Sequence, residues 1–492
     1  MKYDYDAIVI GGGAAGITAS GIAANFGAKT MMIEKDKLGG DCTWHGCIPS
    51  KTLIKAASVV HKARESKKYG VDISIADFDL TKLMKHIDGV RNEIYEDADR
   101  PEIFEEMGIE VVKGMAFFSN EHSIKIELAD GSIRNVTSKY FFICSGSSPF
   151  VPPIPGLDSV NYLTNESLFD IENIPKTISI IGAGPIGCEM AQSFARLGLD
   201  VTVLDMADRI LVNDDPELTA ILKESMEKEG VKFELNAGIE KVEAVGDKIR
   251  ISYQKNGESH IVTNESILVA TGRRPNVGGL NLEAAGIQYS KKGIDVNKSG
   301  RTSKRHIYAA GDVTGQYQFS HMSEHTAKTA VTRALLKVPM SIDKKHLPWV
   351  TFTDPELGHV GATESDLNKE GVTFETYRFP FSKIDRAITD GNTTGLIKIY
   401  AKKWSGKILG ASVVGAHAGE MISEYALAMK NGVSLRDFAD TIHPYPSYGL
   451  GARRAADQWY IKNQSETLVK WIKRIFRYRG EIPDYSDPNR IV

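Results

Sequence analysis

Two cysteines five positions apart, Cys42 and Cys47, lie in the block Gly39-Gly40-Asp41-Cys42-Thr43-Trp44-His45-Gly46-Cys47-Ile48-Pro49-Ser50-Lys51. Thiols at this spacing close a small-loop disulfide when the loop bends enough to bring their Cα atoms within about 7 Å. A helical pattern from Ser50 onward puts Lys51 one turn beyond Cys47, where its ammonium group and the helix amino terminus both favour a thiolate. That is the chemistry of a redox dithiol. A zinc site needs two more nitrogen or sulfur ligands, and nearby only His45 offers one, since Cys144 and Cys188 are remote in sequence. His45 itself reads either as a local base or as an exposed loop residue. Cys144 follows an apolar strand at Tyr140 to Ile143, and Cys188 falls in the first turn of a helix. Both positions suit small core residues.

The elements that must position such a pair are marked by glycine. Asp6 to Ile10 reads as a buried strand, Gly11-Gly12-Gly13-Ala14-Ala15-Gly16 as a tight turn, the small residues to Ala28 as a helix, and Thr30 to Glu34 as a second strand. The spacing of Gly11, Gly13 and Gly16 lets the backbone approach a pyrophosphate at a helix amino terminus, and Glu34 stands where a carboxylate accepts from both ribose hydroxyls. The pattern returns with a strand at Thr177 to Ile181, then Gly182, Gly184 and Gly187, then Val201 to Leu204 and Asp205. The segments Ile143 to Pro149 and Val269 to Pro275, the latter carrying Gly272, echo each other as well. A duplicated α/β dinucleotide-binding fold follows, with two nucleotide sites. An acid at position 205 suits the unmodified ribose of NAD, because a 2'-phosphate would meet like charge; Arg209, four residues on, keeps NADP open.

On these motifs, with Glu189 ending the second glycine segment and Tyr308-Ala309-Ala310-Gly311-Asp312 further on, the chain resembles the FAD-dependent pyridine nucleotide disulfide oxidoreductases over roughly residues 4–460. That class includes dihydrolipoamide dehydrogenase, glutathione reductase and mercuric reductase. The resemblance implies two Rossmann-like domains and an α+β dimerisation domain: FAD over 1–150 and 271–340, NAD(P) over 151–270, and the interface over 345–465. It implies that Asp312 holds the FAD ribityl chain, that Lys51 pairs with Glu189 near the flavin, and that His321 lies in the segment beside the flavin. Cys47 is then the charge-transfer thiol and Cys42 the interchange thiol that meets a small-molecule acceptor. A homodimer is implied, because the family's general base, a His with a Glu five residues later, acts across the subunit interface.

That last motif departs from the family. The chain reads Thr441-Ile442-His443-Pro444-Tyr445-Pro446-Ser447-Tyr448-Gly449-Leu450, so Tyr445 stands for the base and Leu450 for its carboxylate. Tyrosine, with an ordinary pKa near ~10, is a poor base at neutral pH. A one-step shift makes His443 the base, but residue 448 is Tyr, so no carboxylate follows it. Mercuric reductase carries Tyr in a similar Pro-Tyr segment, yet it ends in a vicinal cysteine pair that is absent here. The expected activity is therefore NAD(P)H oxidation through flavin and the Cys42/Cys47 disulfide to a small disulfide or thiol-bound acceptor. Dihydrolipoamide dehydrogenase, mercuric reductase, a redox-sensing role and a flavin diaphorase are the alternatives.

Composition agrees with an ordinary globular chain of several domains: 492 residues, 42% hydrophobic and 25% charged. With 60 basic and 63 acidic residues, no global positive field exists to hold nucleic acid. The absence of a long apolar run and the four cysteines lead to the expectation of a cytoplasmic protein. Within Gly415 to Glu420, His417 and Glu420 suit interface packing and helix capping rather than metal binding. The tail over 466–492 carries one further element: Leu468, Trp471, Ile472, Ile475 and Phe476 share a helical face, with Lys470, Lys473, Arg474, Arg477 and Arg479 around it. Such a helix over 467–479 docks on an anionic membrane surface, on a protein partner, or on its own dimer. Glu481 to Val492 reads as a loose end.

Overall fold

The computed structural model describes residues 2–75, 78–171, 173 and 175–482. The chain divides into two compact units. The first comprises Met1–Gly182, Ser193–Leu204 and Ala237–Ile342; the second comprises Ala183–Gln192, Asp205–Asn236 and Asp343–Val492. The loose end expected at the carboxyl terminus lies, from residue 483 on, outside the described residues.

The first unit is organised by a parallel sheet. Strand β1 (Tyr5–Ile10) pairs in parallel with β2 (Thr30–Glu34), in the register Ala7↔Thr30 to Ile10↔Ile33. The first half of β3 (Ile109–Asn120) continues beyond β2, and its second half turns into an antiparallel meander with β4 (Ser123–Leu128) and the start of β5 (Ile133–Ile143). The end of β5 returns to pair with β1 on its other edge, followed by Ile307–Ala309. These central segments are continuous apolar runs without alternation, as strands covered on both faces must be. Ala7, Val9, Phe142 and Tyr308 pack on one side against Ala15, Ala19 and Ala23 of helix α1 (Ala14–Asn25) and Ala327, Ala330 and Ala334 of the helix Ser320–Leu336. Alanine at every third or fourth position lets both helices lie close to the sheet. Ile8, Ile10, Met31, Ile33, Phe141 and Ile143 face the other way into a larger core. The unit also holds a second parallel set, Ser266–Val269, Thr177–Ile181 and Asp200–Leu204, and a three-stranded antiparallel sheet over 238–264.

The second unit is built on a five-stranded antiparallel sheet in the order Pro348–Thr351, Glu356–Gly361, Ile408–Gly415, Leu396–Ala401 and Glu375–Pro380. The helices Ala418–Lys430 and Gly449–Asn463 contribute Met421, Ile422, Tyr425, Ala452, Ala455 and Ala456 to its core. Lys398 is buried in this unit, its ammonium 2.7 Å from Asp215, 2.9 Å from Glu217 and 3.4 Å from Glu364. A buried cation needs such a set, because removing its partners leaves an uncompensated charge in a poor dielectric.

Candidate active site

Cys42 sits in the short helix α2 (Gly40–Trp44), and Cys47 is the first residue of α3 (Cys47–Arg64). The helix thus begins three residues before the Ser50 start expected from sequence, and that shift matters. Cys47 occupies the amino-terminal turn itself, where unpaired backbone N–H groups stabilise a thiolate. A second helix begins at the same sulfur: Ser320 Oγ, at the first position of Ser320–Leu336, lies 3.4 Å from Cys47 Sγ. Both cysteines are free, half-buried thiols. Their acidities are pushed apart. A hydrogen bond from the Cys42 thiol, helped by Ser320 and by the charge of Lys51, lowers Cys47 to about 6 against the cost of burial. The same hydrogen bond, burial and the neighbouring thiolate push Cys42 far above the ordinary thiol value. One sulfur is therefore anionic at neutral pH while the other keeps its proton.

The peptide between the two thiols is clamped from several sides. Thr43 Oγ1 donates to Asp99 at 2.7 Å, Trp44 Nε1 donates to the Leu38 carbonyl at 2.9 Å, and Arg91 donates to the Trp44 carbonyl at 2.8 Å. Asp99 closes a single π-helical turn, Tyr95–Asp99, that follows helix α4 (Leu80–Ile94). Asp41, whose charge opposes both thiolates, is met by the Arg273 guanidinium at 3.2 Å and the Asn165 amide at 3.0 Å. Arg273 reaches on to Ser147 Oγ at 2.7 Å, and Ser147 donates to Asp312 at 2.7 Å. A part-buried hydrogen-bonded chain thus joins the dithiol loop to Asp312. Sequence reasoning missed Ser320, Arg273, Asn165 and Asp99. Arg273 was visible only as part of the repeated segment around Gly272, and Ser320 only as the neighbour of His321. His45 is half-buried, and its carbonyl accepts from Asn165 at 3.4 Å.

The two glycine motifs fold alike. Gly11 N donates to Ile33 O at 2.8 Å and Gly12 N to the Glu34 carboxylate at 2.6 Å; Gly182 N donates to Leu204 O at 2.8 Å and Ala183 N to the Asp205 carboxylate at 2.6 Å. A Cβ on Gly11 would sit 2.2 Å from the Cys144 carbonyl and one on Gly16 1.8 Å from the Gly11 carbonyl, so neither position tolerates a side chain. At Gly13 the nearest atom is 3.8 Å away and at Gly184 nothing lies within 4 Å, which leaves the backbone open at the points where a pyrophosphate approaches. Gly187 lies in the first turn of Pro185–Leu197. Asp312, its carboxyl raised by burial, takes its hydrogen bonds from Ser147 and Ser323. These residues fit FAD at the first motif. Bound there, FAD supplies a two-electron carrier between nicotinamide and dithiol.

Glu189 is buried and accepts from Phe352 N at 2.9 Å. His321 is exposed and its ring stacks on Phe319, 5.4 Å between centroids. The carbonyl of Gly272 accepts from Phe150 N at 2.9 Å. Tyr445 is 70% exposed. His443 meets a carboxylate that precedes it in sequence: its Nε2 lies 2.7 Å from Glu424, which comes from the upstream helix Ala418–Lys430, and its Nδ1 lies 2.9 Å from the Thr441 carbonyl. Both ring nitrogens are thereby engaged within their own unit, and the ring braces the loop. Leu450 is buried at the start of Gly449–Asn463. His417 occupies the N-cap of Ala418–Lys430 in a left-handed conformation, φ 62°, but its side chain makes no capping bond. Cys144 and Cys188 are buried, and burial pushes the Cys144 thiol up to about 12, so both are inert. Among the described residues, no cluster of three His, Cys, Asp or Glu side chains is poised for a metal.

Residues 5–334 match the family "Pyridine nucleotide-disulphide oxidoreductase", and residues 347–455 match that family's dimerisation domain. The chain belongs to the pyridine nucleotide-disulphide oxidoreductases. It is 34% identical to mercuric reductase of Staphylococcus aureus over 458 residues, covering 92% of this chain and 82% of the relative. It is 32% identical to dihydrolipoyl dehydrogenase of Bacillus subtilis over 464 residues, 93% and 98% of the two chains. Among solved structures, the Cu(II) complex of the HOCl-induced flavoprotein disulfide reductase RclA from Escherichia coli superposes with a TM-score of 0.83 at 27% identity, over 94% of this chain and all of that one. The chain is thus an FAD-dependent enzyme that takes electrons from a pyridine nucleotide to a redox-active disulfide, and a purely sensing role is set aside. No helix among the described residues is long and apolar enough to cross a membrane.

Proposed function

We propose that this enzyme oxidises NADH and delivers the electrons, through Cys47 and then Cys42, to a small disulfide or to a soft metal ion carried on thiols. The observation that carries the reading is the polarised dithiol. Cys47, held as a thiolate by two helix amino termini and by Cys42, suits the sulfur next to the flavin, while the protonated Cys42 suits the sulfur that exchanges with an acceptor. Reduction of the Cys42–Cys47 disulfide by NADH takes two electrons and one proton and leaves the Cys42 thiol beside the Cys47 thiolate; passing both electrons to an acceptor disulfide reforms the Cys42–Cys47 bond and gives up that proton, a second coming from solvent as two thiols form. A thiol-bound soft metal places less demand on a base, because the metal binds sulfur as thiolate. That class agrees with the likeness to mercuric reductase and to a copper-complexed reductase. Lys51 and Glu189 are assigned beside the flavin, His321 near it, and Tyr445 opposite the partner's dithiol in a homodimer, which the dimerisation domain supports. The domain limits proposed are 1–150 with 271–340 for FAD, 151–270 for the nicotinamide nucleotide and 345–465 for the interface, in a cytoplasmic protein. Steady-state NADH oxidation with a panel of disulfides, metal thiolates and quinones tests the reading. Activity toward the first two should vanish when both cysteines are replaced by serine. Activity that survives in that variant with every acceptor makes the enzyme a diaphorase.

NADH is preferred over NADPH in this reading. The Asp205 carboxylate is fixed by Ala183 N at 2.6 Å and Ala207 N at 2.8 Å, aimed where a 2'-phosphate would sit. Arg209, the residue that would compensate, is bound to the carbonyls of Asp214 and Val212 at 2.8 and 2.5 Å and is committed to its own loop. The expected kcat/KM ratio favours NADH by about tenfold or more, equivalent to about 1.4 kcal/mol. A ratio favouring NADPH shows that Arg209 leaves its carbonyls for the phosphate.

A further inference from the structure

The carboxyl-terminal helix Glu466–Phe476 begins after the last residue matched to the family, 455. It is specified locally. Ser465 caps it by accepting from Leu468 N, Glu466 lies in the first turn and Lys473 and Arg474 in the last, and Lys470 pairs with Glu466 at 2.6 Å one turn apart. None of its residues is buried. At roughly 100° per residue, Leu468, Trp471, Ile472, Ile475 and Phe476 fill one half of the circumference and Lys470, Lys473 and Arg474 the other, and Arg477 follows at the carboxyl end in a left-handed conformation. Leu468, Trp471, Ile475, Phe476 and the following Tyr478 are between 46 and 63% exposed. The segment 466–479 carries five basic residues against one acid in a chain whose net charge is −3.

We propose that this helix is a membrane-surface anchor, lying in the interface of an anionic phospholipid bilayer with Leu468 and Ile475 near the centre of its buried face and Trp471 at its edge. Three features favour that occupant. The apolar face is convex and aromatic-rich, which suits acyl chains and the headgroup boundary. The basic half has the charge that an anionic leaflet attracts, and it stands out from the negative balance of the whole chain. A second copy is the poorer occupant, since the segment lies outside the match to the family's dimerisation domain.

The full-length flavoprotein is co-sedimented with vesicles of phosphatidylcholine alone and of phosphatidylcholine with phosphatidylglycerol, at low and at high salt. Binding is expected only to the anionic vesicles, weakened by salt. Replacing Lys470, Lys473, Arg474 and Arg477 by glutamine should lower partitioning roughly fivefold per charge removed. The double variant Trp471→Glu, Ile475→Glu should not bind. Both variants should keep the flavin absorbance and the NADH oxidation rate of the parent, because the helix is exposed and remote in sequence from the dithiol. Equal binding to neutral and anionic vesicles, or no binding to either, overturns the proposal. So does a shift of the double variant from dimer to monomer in sedimentation velocity, which would assign the face to a second copy of the chain.

Discussion

Replacing Cys47 by serine is expected to abolish electron transfer to disulfide and metal-thiolate acceptors, by about a thousandfold or more, the scale on which loss of a covalent nucleophile is felt. Reduction of the bound flavin by NADH should remain. The companion variant Cys42→Ser should be equally inactive toward external acceptors but differ in its spectrum. With the proposed roles Cys47 is left as the thiolate beside the flavin, so a long-wavelength thiolate-to-flavin absorption should persist there and be missing from Cys47→Ser. The pH dependence of that band follows from the causes of the low Cys47 acidity. In the folded protein Cys47 lies near 6 rather than at the ordinary 9, the largest cause being the hydrogen bond from Cys42. The thiolate, and with it the band, is present above about 6 and fades as pH falls through that value. Serine at position 42 can still donate, so the midpoint should move little in Cys42→Ser. Alanine cannot, so Cys42→Ala should raise it clearly, leaving Ser320, Lys51 and the helix terminus as the remaining stabilisers. If both serine variants keep the parent's reduced spectrum, the dithiol does not touch the flavin and the assigned roles fail.

The residues whose placement was legible in sequence are those fixed by local backbone requirements. Gly11, Gly13, Gly16 and their counterparts Gly182, Gly184 and Gly187 announce tight turns into helices, and the acids at 34 and 205 complete the pattern within one βαβ unit, so the two parallel folds could be read from short segments. Cys42 and Cys47 were legible because their chemistry is rare and their spacing short. What sequence did not disclose are contacts over long separations. Arg273 reaches Asp41 across more than two hundred residues, Ser320 reaches Cys47 across a similar span, and Asp99 finds Thr43 through a π-helical turn that no periodicity signals. The same limit holds at His443. A carboxylate was sought five residues downstream because the family places it there, whereas Glu424 arrives nineteen residues upstream from a different helix. Local motifs predict which backbone will turn. Only the packed fold decides which side chain then meets which.

That carboxylate bears on the second large effect, poor turnover of lipoamide and glutathione disulfide. A dithiol relay moves a proton to and from the exchanging sulfur, and Cys42, pushed far above the ordinary thiol value, is the sulfur that needs help. General acid–base assistance is typically worth ~10²–10⁴ in rate. The phenol of Tyr445 is a weak base by type, and His443 is held by Glu424 and the Thr441 carbonyl on its own protomer. Stopped-flow should therefore show fast flavin reduction by NADH followed by slow transfer to either disulfide. Restoring the family's pair by substitution is only half available. Tyr445 is exposed, so Tyr445→His should fold and should raise disulfide turnover, although without a carboxylate to orient the ring the gain should stay below the full factor. Leu450 is buried in the core of its unit, so Leu450→Glu should instead lower stability by a few kcal/mol, the cost of an unpaired carboxyl in apolar surroundings. Glu424→Gln separates the remaining alternative. As a brace, the pair affects thermal stability and leaves both half-reactions of the folded enzyme unchanged. As a base, its loss slows the second half-reaction alone. Dihydrolipoamide turnover by the unaltered enzyme at ~10²–10³ per second, the upper range of ordinary kcat values, would overturn this account and require His443 to leave Glu424 and serve the partner's Cys42.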